Sequence, residues 1–333
     1  MSIRQAVLIV GGSGTRLWPL THTMPKPLLP VAGVPFVQHQ IDALRTAGID
    51  RIALAVGAGD VDRWTPFARK VDAELFVEEQ PLDTAGGIRA NVDALDDRFL
   101  ALNGDVMFQT PIASFLDGLP EVDGVLALVE VEDPSAYGVV VTDEFGAVSR
   151  FVEKPPPGTA PANTVSAGMY ALTKAAIAAH PLGRLSFERT IFPDLADRGR
   201  LAGRVVHGRW LDIGLPELYI ETNGVMLGRH VADATADVRG ELAGEWSYCG
   251  PRSTVETAAR VDESIVLDDA TIGEHVHLRR SVIGWGASIG SHVHLRDVVV
   301  GEGAKIADGA IVPPGSRIGP DETWSDLAGE DRT

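Results

Sequence analysis

Cysteine is almost missing from this sequence: among 333 residues there is one, Cys249. A lone thiol excludes an intramolecular disulfide and fits a reducing compartment. Basic residues are also scarce, with 29 Lys and Arg against 46 Asp and Glu and a formal net charge of -17. That balance excludes a nucleic-acid-binding protein, which needs a basic face. No apolar run is long enough to span a bilayer and no signal peptide is evident, so the expectation is a cytoplasmic protein with no membrane partner. What is present, 45% hydrophobic and 23% charged residues, suits one large or two moderate domains with a real core. The acidity does not exclude phosphorylated ligands. Charges beyond about 8 Å are largely screened at physiological salt. A cation about 4 Å from a phosphate oxygen is worth about 4 kcal/mol at an intermediate effective dielectric.

One stretch organises the chain, Gly11 to Pro30, reading GGSGTRLWPLTHTMPKPLLP. It follows the apolar run Ala6 to Val10, which reads as a buried strand of a parallel sheet. A glycine-rich turn at the C-terminal end of such a strand is a natural phosphate cradle. Gly11, Gly12 and Gly14 let the backbone approach a ligand and aim successive N–H groups at anionic oxygens. Arg16 follows closely, and Lys26 stands between Pro25 and Pro27, which are expected to hold it on stiff, extended backbone. Spacing rejects two other glycine motifs. No Gly-Lys-Ser/Thr completes a Walker loop, and Gly12-Ser13-Gly14-Thr15-Arg16-Leu17 ends in leucine where a dinucleotide fingerprint needs glycine. The plainer reading is an ordinary strand-to-helix turn with surface cations.

Strands and helices then alternate. Helical spacing covers Pro35 to Ala47 with Gly48 as C-cap, strands fall at Arg51–Val56 and Ala73–Val77, and a helix covers Asp60–Arg69. This pattern predicts right-handed βαβ units on a parallel sheet. The strand Phe99–Leu102 ends in Asn103-Gly104-Asp105, which puts a carboxylate where α/β sheets bind ligands. A further strand is expected at Gly124–Glu130. Tyr137–Val141 and Val148–Val152 form a hairpin leading to Glu153-Lys154-Pro155, read either as a ligand pair or as a surface ion pair. Asp83 is expected to cap a helix beginning at Thr84; a position there that needs positive φ would also tolerate Asp. Ser186 is expected to cap a helix over Phe187–Ala196, and another helix spans about Pro216 to Leu227.

The long string resembles that of the sugar-nucleotide pyrophosphorylases, the nucleotidyltransferases whose pattern is roughly L-A-G-G-x-G-T-R-L-x-P-x-T…P-K-P-L-L-P. The similarity runs to about residue 225. It implies transfer of a nucleotidyl group from an NTP to a sugar 1-phosphate with release of pyrophosphate. By this resemblance Gly11, Gly12, Gly14 and Thr15 hold the triphosphate, and Gln80, Thr84 and Gly86 read the nucleobase in the loop Gln80 to Gly87. Asp83 stands where the family commonly has glycine, and could accept from a guanine edge. The catalytic set is Arg16, Lys26, Asp105 and Asp212. Asp105 of an L-x-G-D-like element and Asp212 of Trp210-Leu211-Asp212-Ile213-Gly214 hold Mg²⁺. Gly138, Glu153, Lys154, Ser166 and Gly168 bind the sugar phosphate. Five positions depart from the pattern: Ile9 and Val10 for Leu-Ala, Asp83 for glycine, Ser166 for asparagine, and Leu215 for threonine. Trp18, the PL-x-TAGG loop and Ser186 to Pro193 resemble mannose-1-phosphate guanylyltransferases most. Thymidylyl or adenylyl transfer to glucose 1-phosphate, and an inactive regulatory subunit, are the alternatives.

Beyond residue 250 aliphatic positions recur in steps of five and six, building 17-residue units such as VDESIVLDDATIGEHVH. This is a hexapeptide-type solenoid, one triangle side per step. An acyltransferase with a solenoid tail would place a catalytic histidine there; the intact nucleotide loop argues against that as the sole activity. His275/His277 and His292/His294 lie one coil apart and are expected to face solvent while Val276 and Val293 point inward. The reading is thus α/β: a Rossmann-like, mostly parallel nucleotidyltransferase domain over 1–228, a linker over 229–250, a left-handed parallel β-helix over 251–320 and a frayed tail over 321–333. Association of solenoids side by side would make a homo-oligomer.

Overall fold

A computed structural model describes residues 3–12 and 14–326. Two compact units emerge: one joins the chain up to Gly11 with Val37–Leu211, the other joins Gly12–Phe36 with the chain from Asp212 on. The glycine-rich stretch therefore clusters with the solenoid, where the sequence reading put it in a continuous domain over 1–228.

The first unit is built on a nine-stranded sheet. Its strands are β1 (Gln5–Ile9), β2 (Arg51–Gly57), β3 (Ala73–Glu78), β4 (Arg98–Asn103), β5 (Gly124–Glu130), β6 (Gly138–Thr142), β7 (Val148–Glu153), β8 (Thr164–Thr173) and β9 (Leu201–Val205). Their order is β7-β6-β8-β4-β1-β2-β3, with β5 pairing both β8 and β9. The half β3-β2-β1-β4 is parallel, with Ala6 opposite both Ile52 and Leu100. The inner strands carry continuous apolar runs and are buried from Gln5 to Leu8 in β1 and from Ile52 to Val56 in β2, as central strands of a parallel sheet require, while β3 at the edge carries Glu74 and Glu78. Antiparallel pairing starts at β8, where Tyr170 opposes Ala101. The expected helices form as α1 (Phe36–Thr46) and α2 (Val61–Lys70), and Gly48 ends the first at φ 83°.

The core gathers Val7, Ala53, Phe99, Leu126, Tyr170, Phe187 and Phe192. Phe187 stacks on Phe192 with centroids 5.4 Å apart, and Tyr170 meets Phe192 edge-on at 4.9 Å. The expected helix over Phe187–Ala196 is instead a π-turn, Phe187–Ile191, leading into an α-helix, Phe192–Asp197. Ser186 caps it as expected, its Oγ accepting from the Arg189 N–H at 3.2 Å.

In the second unit a helix over Pro216–Leu227 closes on Gly228 in the left-handed region. Three parallel ladders follow. Thr254 pairs with Thr271, Thr271 with Ser288 and Ser288 with Lys305, so one coil takes 17 residues. Val255, Ile272, Ile289 and Ile306 stack inside. The segment 229–250, expected as a linker, is already solenoid: His230–Ala232 pairs with Ser247–Cys249, and Glu241–Ala243 with Arg260–Asp262. Alternation there is as good as in later coils, but its spacing is looser, with Leu242 opposite Val261. The expected tail also differs. Thr323–Trp324 pairs with Lys305–Ile306, extending the last coil; positions 327–333 lie outside the described residues. Val276 and Val293 are buried with their flanking histidines outside, as the alternation predicts.

Candidate functional site

The second unit carries the glycine-rich stretch. Buried Leu17, Leu20 and Leu29 anchor it, which leaves Gly12, Thr15 and Arg16 exposed. Gly12 and Gly14 have φ of 127° and 56°, conformations that L side chains rarely take. A Cβ on Gly14 would lie 2.9 Å from the Thr21 methyl and 3.3 Å from Lys26 Cβ. Glycine thus lets the loop lie against the lysine stem. The Thr21 hydroxyl donates to the Gly14 carbonyl at 2.9 Å. Lys26 departs from expectation: it opens a 3-10 turn, Lys26–Leu28, closed by the Leu29 N–H on its carbonyl at 3.1 Å. Only Pro25 before it is extended, at ψ 137°.

Asp212 ends the strand Trp210–Asp212. Its Oδ1 accepts from the Gly214 N–H, and its carbonyl accepts from the Thr222 hydroxyl at 3.1 Å. A side chain at Gly214 would come within 2.8 Å of Asp212 Oδ1 and 3.2 Å of Arg16 Nη2. The guanidinium and the carboxylate thus both border this glycine. The helix Pro216–Leu227 holds the far end of the stretch: Asn223 Oδ1 accepts from the Ala32 N–H at 2.9 Å, and the buried Tyr219 hydroxyl donates to the Pro30 carbonyl.

The first unit carries Gly11 and the remaining candidates. The Gly11 N–H donates to the Ala55 carbonyl at 3.1 Å. Asp105 follows the tip of β4, where Gly104 N–H donates to the Ile9 carbonyl at 2.9 Å. Gln40 Nε2 donates to the Asn103 and Val106 carbonyls at 2.8 and 2.6 Å, pinning the turn on both sides of the aspartate. Gly168 sits at φ 77° in a bulge of β8, where a Cβ would lie 2.7 Å from Val106 Cγ2 and 3.0 Å from Asn103 Nδ2. Ser166 lies on the same strand. Burial, with the Glu188 charge next, pushes the Tyr170 phenol well above its usual range, while Ser166 and Asn103 act the other way.

Glu153 stands opposite Gly138 in the β6–β7 hairpin. A Cβ on Gly138 would meet Phe151 at 2.5 Å and Glu153 Oε2 at 3.0 Å. Lys154 Nζ donates to Glu153 Oε1 at 2.6 Å. The lysine side chain is 65% exposed, so this pair can be exchanged for a ligand at little cost. Lys154 itself has φ 44°, with its N–H on the Tyr137 carbonyl at 3.0 Å.

The loop expected to read the nucleobase is more internal than its sequence implies. The Thr84 hydroxyl donates to Glu188 Oε2 at 2.8 Å and accepts from the Phe187 N–H at 3.0 Å. Gly86 is buried, and a Cβ there would run into Leu82 and the Gly183 carbonyl. Asp83 makes no cap bond to the second or third helical N–H: it is the first residue of the helix Asp83–Ala90, at φ 71°, where its Oδ1 accepts from the Thr84 N–H at 2.9 Å and its Oδ2 ion-pairs with Arg189. The positive φ at the family's glycine position is thus present, but the carboxylate is spent on an arginine 106 residues away in sequence, which no local pattern shows. Gln80 remains exposed.

Two site-shaping residues were overlooked. Glu78, at the end of β3, accepts from the Leu82 N–H at 3.0 Å, and a Cβ on Gly11 would lie 3.5 Å from its Oε1. Burial, with a smaller contribution from Asp83, pushes its carboxyl up. Its place directly after a buried strand was the available signal. Trp210 Nε1 donates to the Ala167 carbonyl at 3.1 Å while its ring meets Tyr137 at 5.1 Å, joining the Gly168 bulge to the Lys154 hairpin.

Among the described residues no group of three or more His, Cys, Asp or Glu forms a ready metal cage. Mg²⁺ takes one or two carboxylates and otherwise phosphate oxygens and water. Asp105 in the first unit and Asp212 in the second, the latter with one oxygen oriented by a backbone N–H, are each hard-oxygen donors of the kind that ion takes. The solenoid histidines do not make such a cage: His275 stacks on His292 at 4.9 Å and His277 meets His294 at 4.7 Å, all exposed.

Residues 5–227 match the family model described as nucleotidyl transferase, and residues 226–324 match the one described as the GMPPB C-terminal domain. The chain is 32% identical over 320 residues to a probable mannose-1-phosphate guanylyltransferase 2 of Arabidopsis thaliana, covering 84% of this chain and 86% of that protein. It is 35% identical over 289 residues to a mannose-1-phosphate guanylyltransferase of Mycobacterium tuberculosis, covering 84% and 79%. The crystal structure of HddC from Yersinia pseudotuberculosis is similar at a TM-score of 0.59 and 27% identity, over 67% of this chain and 100% of that one; the same holds for its complex with GMP-PN.

Proposed function

The chain belongs to the nucleotidyl transferase family, and from that premise we propose that it transfers GMP from GTP to mannose 1-phosphate, forming a GDP-sugar and pyrophosphate. The observation that carries this reading is the placement of Arg16 beside Gly214 and Asp212, in a loop whose glycines lie open and whose leucines are buried. The similarity to guanylyltransferases, and a similar structure solved with GMP-PN, support guanine and mannose over other choices.

An oxygen of the sugar phosphate attacks the α-phosphorus of GTP, and the bond from that phosphorus to the β-phosphate oxygen breaks. Charge grows on the departing pyrophosphate, so the work of the protein is positioning and charge neutralisation. The backbone N–H groups of Gly12, Gly14 and Thr15 and the Arg16 guanidinium take the triphosphate and then the pyrophosphate, while Gly11, its N–H held by the Ala55 carbonyl, fixes the start of the loop. Lys26, propped by Gly14, neutralises the reacting phosphates. Lys154 leaves Glu153 to grip the attacking phosphate, and Glu153 turns to the sugar hydroxyls, since an ionised carboxylate accepts two hydrogen bonds from a diol. Gly168 gives the sugar a close backbone, and Ser166, whose Oγ is buried, backs that strand from inside. Gln80 and the loop backbone face the base; Thr84 and Gly86 shape that loop from inside. Asp105 and Asp212 would hold Mg²⁺, which supplies charge neutralisation at the phosphates. Solenoid pairing into a homo-oligomer and a reducing, cytoplasmic setting complete the reading, the latter supported by the single buried thiol.

Pyrophosphate release across GTP, ATP, dTTP and UTP, each with mannose and glucose 1-phosphates, tests the assignment. GTP with mannose 1-phosphate should be fastest, and a chelator should abolish release while circular dichroism stays unchanged. Faster turnover with another pair would replace these substrates; no release with any pair would sink the reading.

A further inference from the structure

The last solenoid coil reaches the glycine-rich stretch, within the same compact unit. Arg317 lies on the strand Arg317–Ile318, paired with Val299–Val300. Ile318 points into the solenoid core and Arg317 points out. Its Nη1 donates to the Arg16 carbonyl at 2.7 Å and to the Trp18 carbonyl at 3.3 Å. One guanidinium therefore spans the 3-10 turn Thr15–Leu17 at two carbonyls. The neighbouring turn completes the contact. A Cβ on Gly319 would lie 3.3 Å from Trp18 Cζ2, so the indole lies against bare backbone, and the Gly319 N–H donates to Glu322 Oε2 at 2.7 Å, fixing that turn. Trp18 keeps 40% exposure toward a groove that His22, Thr23, Glu302 and Asp321 also line.

These carbonyls belong to the turn that presents Arg16. Each donated bond constrains the backbone from which the Arg16 side chain extends, and misplacement by about 1 Å in such a site can cost about 100-fold in rate. We propose that Arg317 is a positioning residue for the reaction: it clamps the turn so that the Arg16 guanidinium meets the pyrophosphate, making the last coil part of the reaction machinery. This rests on the proposed function only for its kinetic consequence; the clamp itself does not.

Arg317→Met keeps the aliphatic stem and removes both donors; Arg317→Lys keeps one. Backbone hydrogen exchange is read first, in the full chain without substrate. Peptides spanning 14–23 should exchange faster in Arg317→Met and by an intermediate amount in Arg317→Lys, with solenoid core peptides unchanged. In the reverse direction, the KM for pyrophosphate should rise at least about fivefold in Arg317→Met while the KM for GDP-mannose stays constant, with partial rescue by lysine. A generally weakened fold would lower turnover alone. Unchanged exchange over 14–23 or faster exchange throughout the solenoid overturns the clamp; faster loop exchange with an unchanged pyrophosphate KM overturns the positioning role. A wild-type protein with no activity on any nucleotide overturns the proposed function instead, and the exchange result then decides the clamp alone.

Discussion

Lys26 shows how a single charge is placed by the residues packed around its stem. A Cβ on Gly14 would lie 3.3 Å from Lys26 Cβ, so glycine lets the loop lie against the lysine stem, and Pro25 and buried Pro27 flank it in the turn it opens. Its substitution removes a charge without opening the core. Lys26→Ala should therefore lower turnover at least about 100-fold with its melting temperature within about a degree of wild type, as steady-state assay and calorimetry would show. Glu78 behaves in the opposite way. Its carboxyl is raised by burial, so the folded state binds its proton more tightly than the unfolded chain does. The resulting penalty is absent below the ordinary glutamate value of about 4.3 and sets in as pH rises through the folded value. Glu78→Gln keeps an acceptor for the Leu82 N–H and loses the charge. It should melt higher than wild type at pH 7, and the two melting curves should converge as pH falls below 4.

At the scale of elements, the base-side loop and the π-turn form one structure. Thr84 and Ser186 both donate to Glu188 Oε2, at 2.8 and 2.9 Å, and the Thr84 hydroxyl also receives the Phe187 N–H. Breaking one member leaves buried polar groups unpaired, which costs about 1–3 kcal/mol each. Thr84→Val is nearly isosteric, so its unfolding free energy should fall by that amount, read as a lower denaturant midpoint at unchanged slope, and its nucleotide KM should rise because the loop loses its support. A midpoint equal to wild type would remove Glu188 from this role. In the solenoid the stacked element is a column of aliphatic side chains, Val255 through Ile306. Ile289→Ala opens a cavity in the middle of that column and should cost about 2–5 kcal/mol, read as a lower urea midpoint.

Across the whole molecule, local pattern and tertiary contact divided the outcome cleanly. The parallel strands, the first helices, the hairpin before Glu153 and the 17-residue coil were legible because each is written in short-range periodicity: apolar runs, 3.6-residue spacing, or aliphatics at fixed steps. The left-handed glycines of the long string were legible too, because backbone approach depends on residues close in sequence; the extended backbone expected at Lys26 was not borne out. The resemblance supplied the remaining roles. What the chain alone did not determine depends on partners far apart in sequence. Asp83 pairs with Arg189, Thr84 faces Glu188, Gly86 abuts Gly183, and Arg317 grips the carbonyls of Arg16 and Trp18. The solenoid also begins at His230 and takes in Thr323–Trp324, since irregular coils still stack once neighbours supply the ladder. Hydrogen bonds and close packing between remote segments follow from how the backbone is threaded, and only the folded chain fixes that threading.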